Sequence, residues 1–156
     1  MKKTNNLNFR KTLSKFVTGI TIVCVKKNNN IYGKTINSFN SVSLNPPLVL
    51  FSIGNYSSSV KTFLETNYLS INILSNKQKN ISNYFAKNYT SDNKIVFFSG
   101  KNKNTSLIDG CVANLECKLL EVLKKGDHYI CICKVMYVKN STKLKPLSYY
   151  NSKYIK

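Results

Sequence analysis

Acidic residues are scarce in this chain. Six Asp and Glu stand against 24 Lys and Arg in 156 residues, a formal net charge of +18. Histidine occurs once, at His128, and arginine once, at Arg10. So few carboxylates leave no paired-carboxylate site for general acid–base hydrolysis. With one histidine, and no C-x-x-C among the five cysteines, a zinc-type cluster lacks ligands. G-x-S-x-G, the P-loop and G-x-G-x-x-G are all missing, which excludes the usual hydrolase, kinase and dinucleotide-fold readings. No apolar run approaches the ~20 residues needed to cross a bilayer, and no membrane partner is expected. Met1-Lys2-Lys3 is basic but no apolar segment follows it, so a cytoplasmic location is the expectation.

What is present describes a globular domain. Hydrophobic residues make up 42% of the chain, enough for a real core. No repeat or long linker divides it, so residues 1–156 read as one domain. The positive charge suits an anionic partner. The lysines are spread along the whole chain, however, and with a single arginine the bidentate contacts typical of nucleic-acid readers are not available. A nucleic-acid role is therefore not expected. Cys131 and Cys133 stand two apart in an alternating apolar stretch, where a strand would place them on one face as small hydrophobes.

Periodicity gives the element order. Asn8 is a candidate N-cap for a short amphipathic helix carrying Phe9, Leu13, Phe16 and Val17, with Gly19 as its stop. Residues 20–25 are β-branched and strand-like, and residues 31–37 return from a turn at Asn28-Asn29-Asn30. Residues 38–45 read as a polar turn. Pro46-Pro47 excludes helix and opens a buried strand over 48–53. Ser57-Ser58-Ser59 can cap a second helix with Val60, Phe63 and Leu64. A strand over 69–74 and a helix over 78–87 follow, and residues 88–110 read as a long surface loop. Residues 112–124 and 128–139 then form a hairpin about Lys125-Gly126-Asp127. This order predicts a mainly β fold, a closed or nearly closed antiparallel barrel with short peripheral helices.

Four stretches could carry chemistry. Thr35 to Pro47 places Thr35, Asn37, Ser38, Ser41 and Ser43 at a strand end before a rigid Pro-Pro. Such side chains let backbone approach a planar ligand and can hold a phosphate, although an ordinary polar turn has the same composition. Ser57-Ser58-Ser59 with Lys61 could hold a phosphate at a helix start, or simply cap the helix. Gly126-Asp127-His128 sets the imidazole at a hairpin, where a lone histidine is more often structural or solvent-facing. Tyr149, Tyr150 and Tyr154 offer a π-surface or plain packing.

Taken in order, residues 9–23, Gly33, Asn37-Ser38-Phe39, Ser41-Val42-Ser43-Leu44, Pro46-Pro47-Leu48-Val49, Ser58, Phe63, Ile71-Asn72-Ile73-Leu74, Leu107-Ile108-Asp109-Gly110, Leu115-Glu116-Cys117, Gly126-Asp127-His128 and Tyr149-Tyr150 resemble the flavin reductase-like family, the FMN-binding split barrels. Members include reductase components of two-component flavin-dependent monooxygenases. The resemblance implies a split-barrel homodimer that passes hydride from NADH or NADPH to FMN or FAD. It implies supply of reduced flavin to an oxygenase component or another acceptor. A domain that keeps FMN bound as an electron carrier is the alternative. It further implies that Thr35, Asn37 and Ser38 line the flavin ring and ribityl chain. Ser41, Val42, Ser43 and Ser58 fall in the phosphate region, with Lys61 and Lys87 adding charge. His128 would lie near the nicotinamide and Tyr150 beside the flavin. The chain departs from the family pattern at Lys34, Asn114, Cys133 and Lys134. The last two bear on nicotinamide access.

Overall fold

Polar and basic residues wind the start of the chain into α1, Asn6–Leu13, in a computed structural model that describes residues 3–56, 60–87, 90–92 and 94–155. Asn5, not Asn8, is the cap: its Oδ1 accepts the Asn8 N–H at 2.8 Å. The helix also stops sooner than its periodicity suggests, with Ser14 N–H closing onto the Arg10 carbonyl at 3.0 Å. None of its side chains is buried, and Leu7, Phe9, Leu13, Phe16 and Val17 are 52–75% exposed. The apolar stripe is real, but within the protomer it faces solvent rather than the core.

The strands follow as β1 (Thr18–Gly19), β2 (Thr21–Lys27), β3 (Asn30–Ile36), β4 (Asn40–Leu44) and β5 (Pro47–Gly54). Asn28 and Asn29 sit at φ 51° and 63°, the positive values that a two-residue hairpin turn requires at both positions. Residues 40–44, expected as a turn, instead form an edge strand paired with β5 through a hairpin at a cis Asn45–Pro46 peptide. Next come α2 (Val60–Leu64), β6 (Tyr68–Ile73), α3 (Lys79–Lys87), β7 (Phe97–Ser99) and β8 (Ser106–Ile108). The long hairpin β9 (Ala113–Lys125) and β10 (His128–Asn140) precedes β11 (Ser148–Tyr150) and β12 (Lys153–Ile155).

Seven strands form one antiparallel sheet in the order β3-β2-β6-β9-β10-β5-β4. It curls around a core that includes Val23, Ile36, Phe51, Ile53, Leu69 and Cys131. A second core lies on the other face of β2, where α3, β8 and the C-terminal segment bring Phe85, Ile108 and Leu147 against Ile22 and Cys24. With both faces covered, five consecutive β2 residues, Thr21 to Val25, are buried. At Gly33 a Cβ would stand 2.5 Å from Phe85 Cε1, so only glycine lets α3 lie this close to β3.

Residues 88–110 depart most from the sequence reading. Among the described residues of that span, β7 and β8 pair as a small hairpin, and Thr105, Leu107 and Ile108 are buried. Buried polar side chains explain the order. Ser70 Oγ donates to the Ser106 carbonyl at 2.6 Å. Asn72 Oδ1 accepts Ile108 N–H at 3.0 Å and Asn114 Nδ2 at 2.9 Å. The Glu116 carboxylate accepts Lys101 N–H, Asn102 N–H and the Thr105 hydroxyl at 2.6–2.8 Å. Each such bond to a carboxylate is stronger than a neutral one, so the loop is fastened from beneath.

All five cysteines are free and buried. Loss of hydration pushes the Cys131 thiol up to about 11 and those of Cys111 and Cys117 up to about 12. Cys24 and Cys133 are raised further for the same reason, with smaller contributions from one neighbouring thiol at Cys24 and two at Cys133. At pH 8 a thiol reagent should leave the native protein unlabelled over minutes and modify all five cysteines in guanidinium. Because the folded values lie above the unfolded value of 9.0, stability should hold up to that pH and decline as pH rises toward 11–12. Chemical denaturation along a pH series would measure that decline.

Candidate functional site

The candidate site lies where the barrel's strand ladder is interrupted. β4 pairs with β5 only as far as Asn40 opposite Leu50, so the last residues of β5 present an unpaired backbone edge. Ser38, just beyond β3, reaches that edge. Its Oγ donates to the Ser52 carbonyl at 3.1 Å and accepts the Ser52 N–H at 2.9 Å. One hydroxyl thus satisfies a donor and an acceptor that lack a neighbouring strand.

A cleft of about 180 Å³ opens at this seam, lined by Lys34, Thr35, Asn37 and Ser38 on one side and by Ser52, Gly54, Tyr56 and His128 on the other, with Ile36 and Ile53 between them. Thr35 is held by its hydroxyl, which donates to the Ser82 carbonyl of α3 at 2.7 Å. The oxygen of that hydroxyl, and the exposed amide of Asn37, remain as polar groups in the wall. His128 begins β10 immediately after the two-residue turn Gly126-Asp127, where Gly126 supplies φ 59°. Its Nδ1 lies 2.8 Å from Asp127 Oδ1. An ionised carboxylate only accepts, so Nδ1 carries the proton and Nε2 is the nitrogen left for a ligand. The hydrogen bond and charge of His128 hold the Asp127 carboxyl below its usual range.

The fold therefore brings Thr35, Asn37, Ser38 and His128 to one cleft. The other expected site residues that are described lie elsewhere. Ser41 and Ser43 pair with Val49 and Leu48 on the edge of the sheet, and Val42 is the bulged residue between them, about half exposed. Ser58 lies outside the described residues. Lys61 is exposed on α2 and pairs with Glu65 at 3.7 Å, an exposed ion pair of little energetic weight. Lys87 is the exposed last residue of α3. Tyr150 sits on β11 with Lys15 Nζ 5.8 Å from its ring centroid, and it does not line the cleft. Sequence reasoning missed Ser52, Gly54 and Tyr56 as lining residues. Ser52 and Gly54 are small residues in an apolar strand, and their role depends on which strand ends early. Tyr56 is a lone aromatic in a polar stretch, and nothing local marks it.

A larger cleft of about 480 Å³ lies between the β7–β8 hairpin and β10, lined by Phe98, Leu107, Glu116, Tyr137, Val138 and Lys139 among others. Its carboxylate is already held by three donors, and Lys139 Nζ stands 4.1 Å over the Phe98 ring. Size alone favours this cleft, but its carboxylate is already engaged. At the seam, Nε2 of His128 and the exposed amide of Asn37 are the groups left for a ligand.

Comparison with known proteins gives a class and then a family. A solved structure of a Streptomyces globisporus NADH:FAD oxidoreductase, SgcE6, in complex with NAD and FAD fragments has the same fold, with a TM-score of 0.91 and 25% identity over 100% of this chain and 96% of that one. The fold is thus that of a flavin-handling split β-barrel. The family model described as the flavin reductase like domain matches residues 13–156, and the chain belongs to that family. An FMN reductase (NADH), SmoA, from Agrobacterium fabrum is 34% identical over 85% of this chain and 75% of its own length. The reductase component of a flavin-dependent trigonelline monooxygenase from Acinetobacter baylyi is 38% identical over 93% of this chain. This chain spans 47% of that protein's length.

Removing the hydroxyl that closes the seam should be costly. Ser38→Ala leaves the Ser52 N–H and carbonyl without their partner, and a loss of about 1–3 kcal/mol is expected. A lowered urea midpoint with an unchanged slope would record it.

Proposed function

We propose that this domain is a flavin reductase that transfers hydride from NADH or NADPH to FMN or FAD. The observation that carries the reading is the seam cleft, which sets Thr35, Asn37 and Ser38 opposite the Asp127-oriented His128. Family membership supports it, as do the activities for which the relatives are named. The lining suits a flat ring: small hydroxyl and amide side chains on the Thr35–Ser38 side admit it edgewise. When bound together, nicotinamide and flavin supply the chemistry themselves, hydride passing from nicotinamide C4 to flavin N5. The chain's part is to hold and orient the rings and to exclude water. That task needs no acid–base pair, in keeping with the few acids of the sequence.

In this reading Thr35, Asn37 and Ser38 seat the flavin, and His128 faces the nicotinamide through Nε2. Ser41, Val42, Ser43 and Ser58 take the phosphate end, with Lys61 and Lys87 adding positive potential. Tyr150 closes over the flavin from a second subunit. The need for a second subunit follows from size. A cleft of about 180 Å³ is smaller than a nucleotide-sized site of roughly 300–1,000 Å³ and holds one ring system. The exposed apolar residues Leu7, Phe9, Leu13, Phe16 and Val17 offer a surface for a homodimer that completes the site. The names of the relatives as reductase components favour an oxygenase as recipient of the reduced flavin. No helix among the described residues is long and apolar enough to cross a membrane.

The test is NADH and NADPH oxidation by the purified protein with and without added FMN or FAD. Oxidation that requires added flavin is expected. Turnover carried by tightly bound flavin alone would favour the electron-carrier alternative, and no oxidation with any pair would end the reading. His128→Ala should lower kcat about ten- to hundredfold. Flavin affinity, read from fluorescence quenching, should stay within about twofold of the parent because the flavin side of the cleft is untouched.

A further inference from the structure

Gly54 and His128 are direct partners across the β5–β10 ladder. Side chains of such partners project to the same face of the sheet, roughly 5 Å apart. At Gly54 that place has no side chain of its own, and Tyr56, two residues on, fills it. A Cβ built on Gly54 would lie 2.7 Å from Tyr56 Cζ and 2.8 Å from Cε1. The phenol ring stands edge-to-face with the imidazole, with centroids 6.3 Å apart and planes at 89°. Asn55 N–H donates to the Asp127 carbonyl at 2.9 Å and fixes the turn that carries the ring. Asp127 thus holds both aromatics: its carboxylate orients His128, and its carbonyl anchors the neighbour of Tyr56.

The outward side of this arrangement is open. Tyr56 is 80% exposed, although its ring lies against the strand and lines the cleft. An aromatic ring held over a glycine, beside an imidazole and open to a ring-sized cleft, is a wall against which a second planar ring can rest. It stands across the cleft from Thr35, Asn37 and Ser38.

We infer that Tyr56, seated in the notch left by Gly54, is a positioning residue that works with His128 to hold the nicotinamide ring of the cosubstrate. The inference rests on the flavin reductase reading. It assigns Tyr56 to the cosubstrate and not to the flavin, and it gives Gly54 the task of leaving room for the ring.

Three variants test it: Tyr56→Phe keeps the ring, Tyr56→Ala removes it, and Gly54→Ala keeps tyrosine but pushes the ring out of its notch. The atoms displaced in the last case belong to an exposed, flexible side chain, so the fold is not at stake. With saturating FMN, the KM for NADH should rise about three- to tenfold in Tyr56→Ala and in Gly54→Ala, the range set by one lost aromatic contact. Tyr56→Phe should stay within about twofold of the parent, since the ring remains. FMN affinity, read by flavin fluorescence, should be the same in all four proteins. Titration of NAD⁺ into the FMN-loaded proteins, followed by flavin absorbance, should show the same order without turnover. An unchanged KM in either alanine variant, or a loss of FMN affinity parallel to the KM change, overturns the assignment. A parent protein that oxidises no NADH and binds no NAD⁺ overturns the functional reading and this inference together. An active parent with indifferent variants overturns this inference alone.

Discussion

Ser38 and Ser52 exchange two hydrogen bonds across the gap between the end of β3 and the open edge of β5. The rest of the barrel is held by backbone ladders between neighbouring strands. Here the ladder stops because β4 is shorter than β5, and a serine hydroxyl substitutes for a strand. The substitution has a geometric result. A strand would have brought a full row of side chains and closed the surface, whereas a single hydroxyl joins the backbones and leaves the space above them free. The cleft exists because closure was achieved with so few atoms.

The same economy appears on the opposite side of β2. Ser70, Asn72, Asn114 and Glu116 point polar groups into a region that would otherwise be apolar, and each meets backbone or a side chain from residues 100–108. Asn114 bonds both Asn72 and the Ile108 carbonyl. A buried hydrogen-bonded network of this kind is stable only while every group is satisfied. It therefore fixes β8 in register more strictly than apolar packing would.

Much of the fold was legible because it rests on local chemistry. The β-branched run of β2, the Asn28-Asn29 turn, the Pro-Pro start of β5 and the long hairpin through Gly126 announce themselves by residue type. The ordered motifs that pointed to the flavin reductase family are confirmed by the match over residues 13–156. What was not legible depends on distant partners. Residues 97–108 look like a polar loop until Glu116 and Asn72 are known to lie beneath them. The amphipathic character of α1 was legible but the solvent exposure of its apolar stripe was not, because periodicity tells that a face is apolar and not what covers it. Of the site, His128 and the Thr35–Ser38 stretch could be found from sequence. Gly54 and Tyr56 could not, since their relation appears only when β5 and β10 are aligned.

The five sequestered thiols bear on how such a protein ages. In the proposed reaction, reduced flavin released in air generates peroxide, and oxidation of cysteine follows thiolate character and access. With every thiol protonated and enclosed, the oxidative loss of these cysteines is governed by how often the barrel opens. For the thiols, durability and resistance to unfolding then become one property, and a substitution that loosens the barrel would hasten their oxidation.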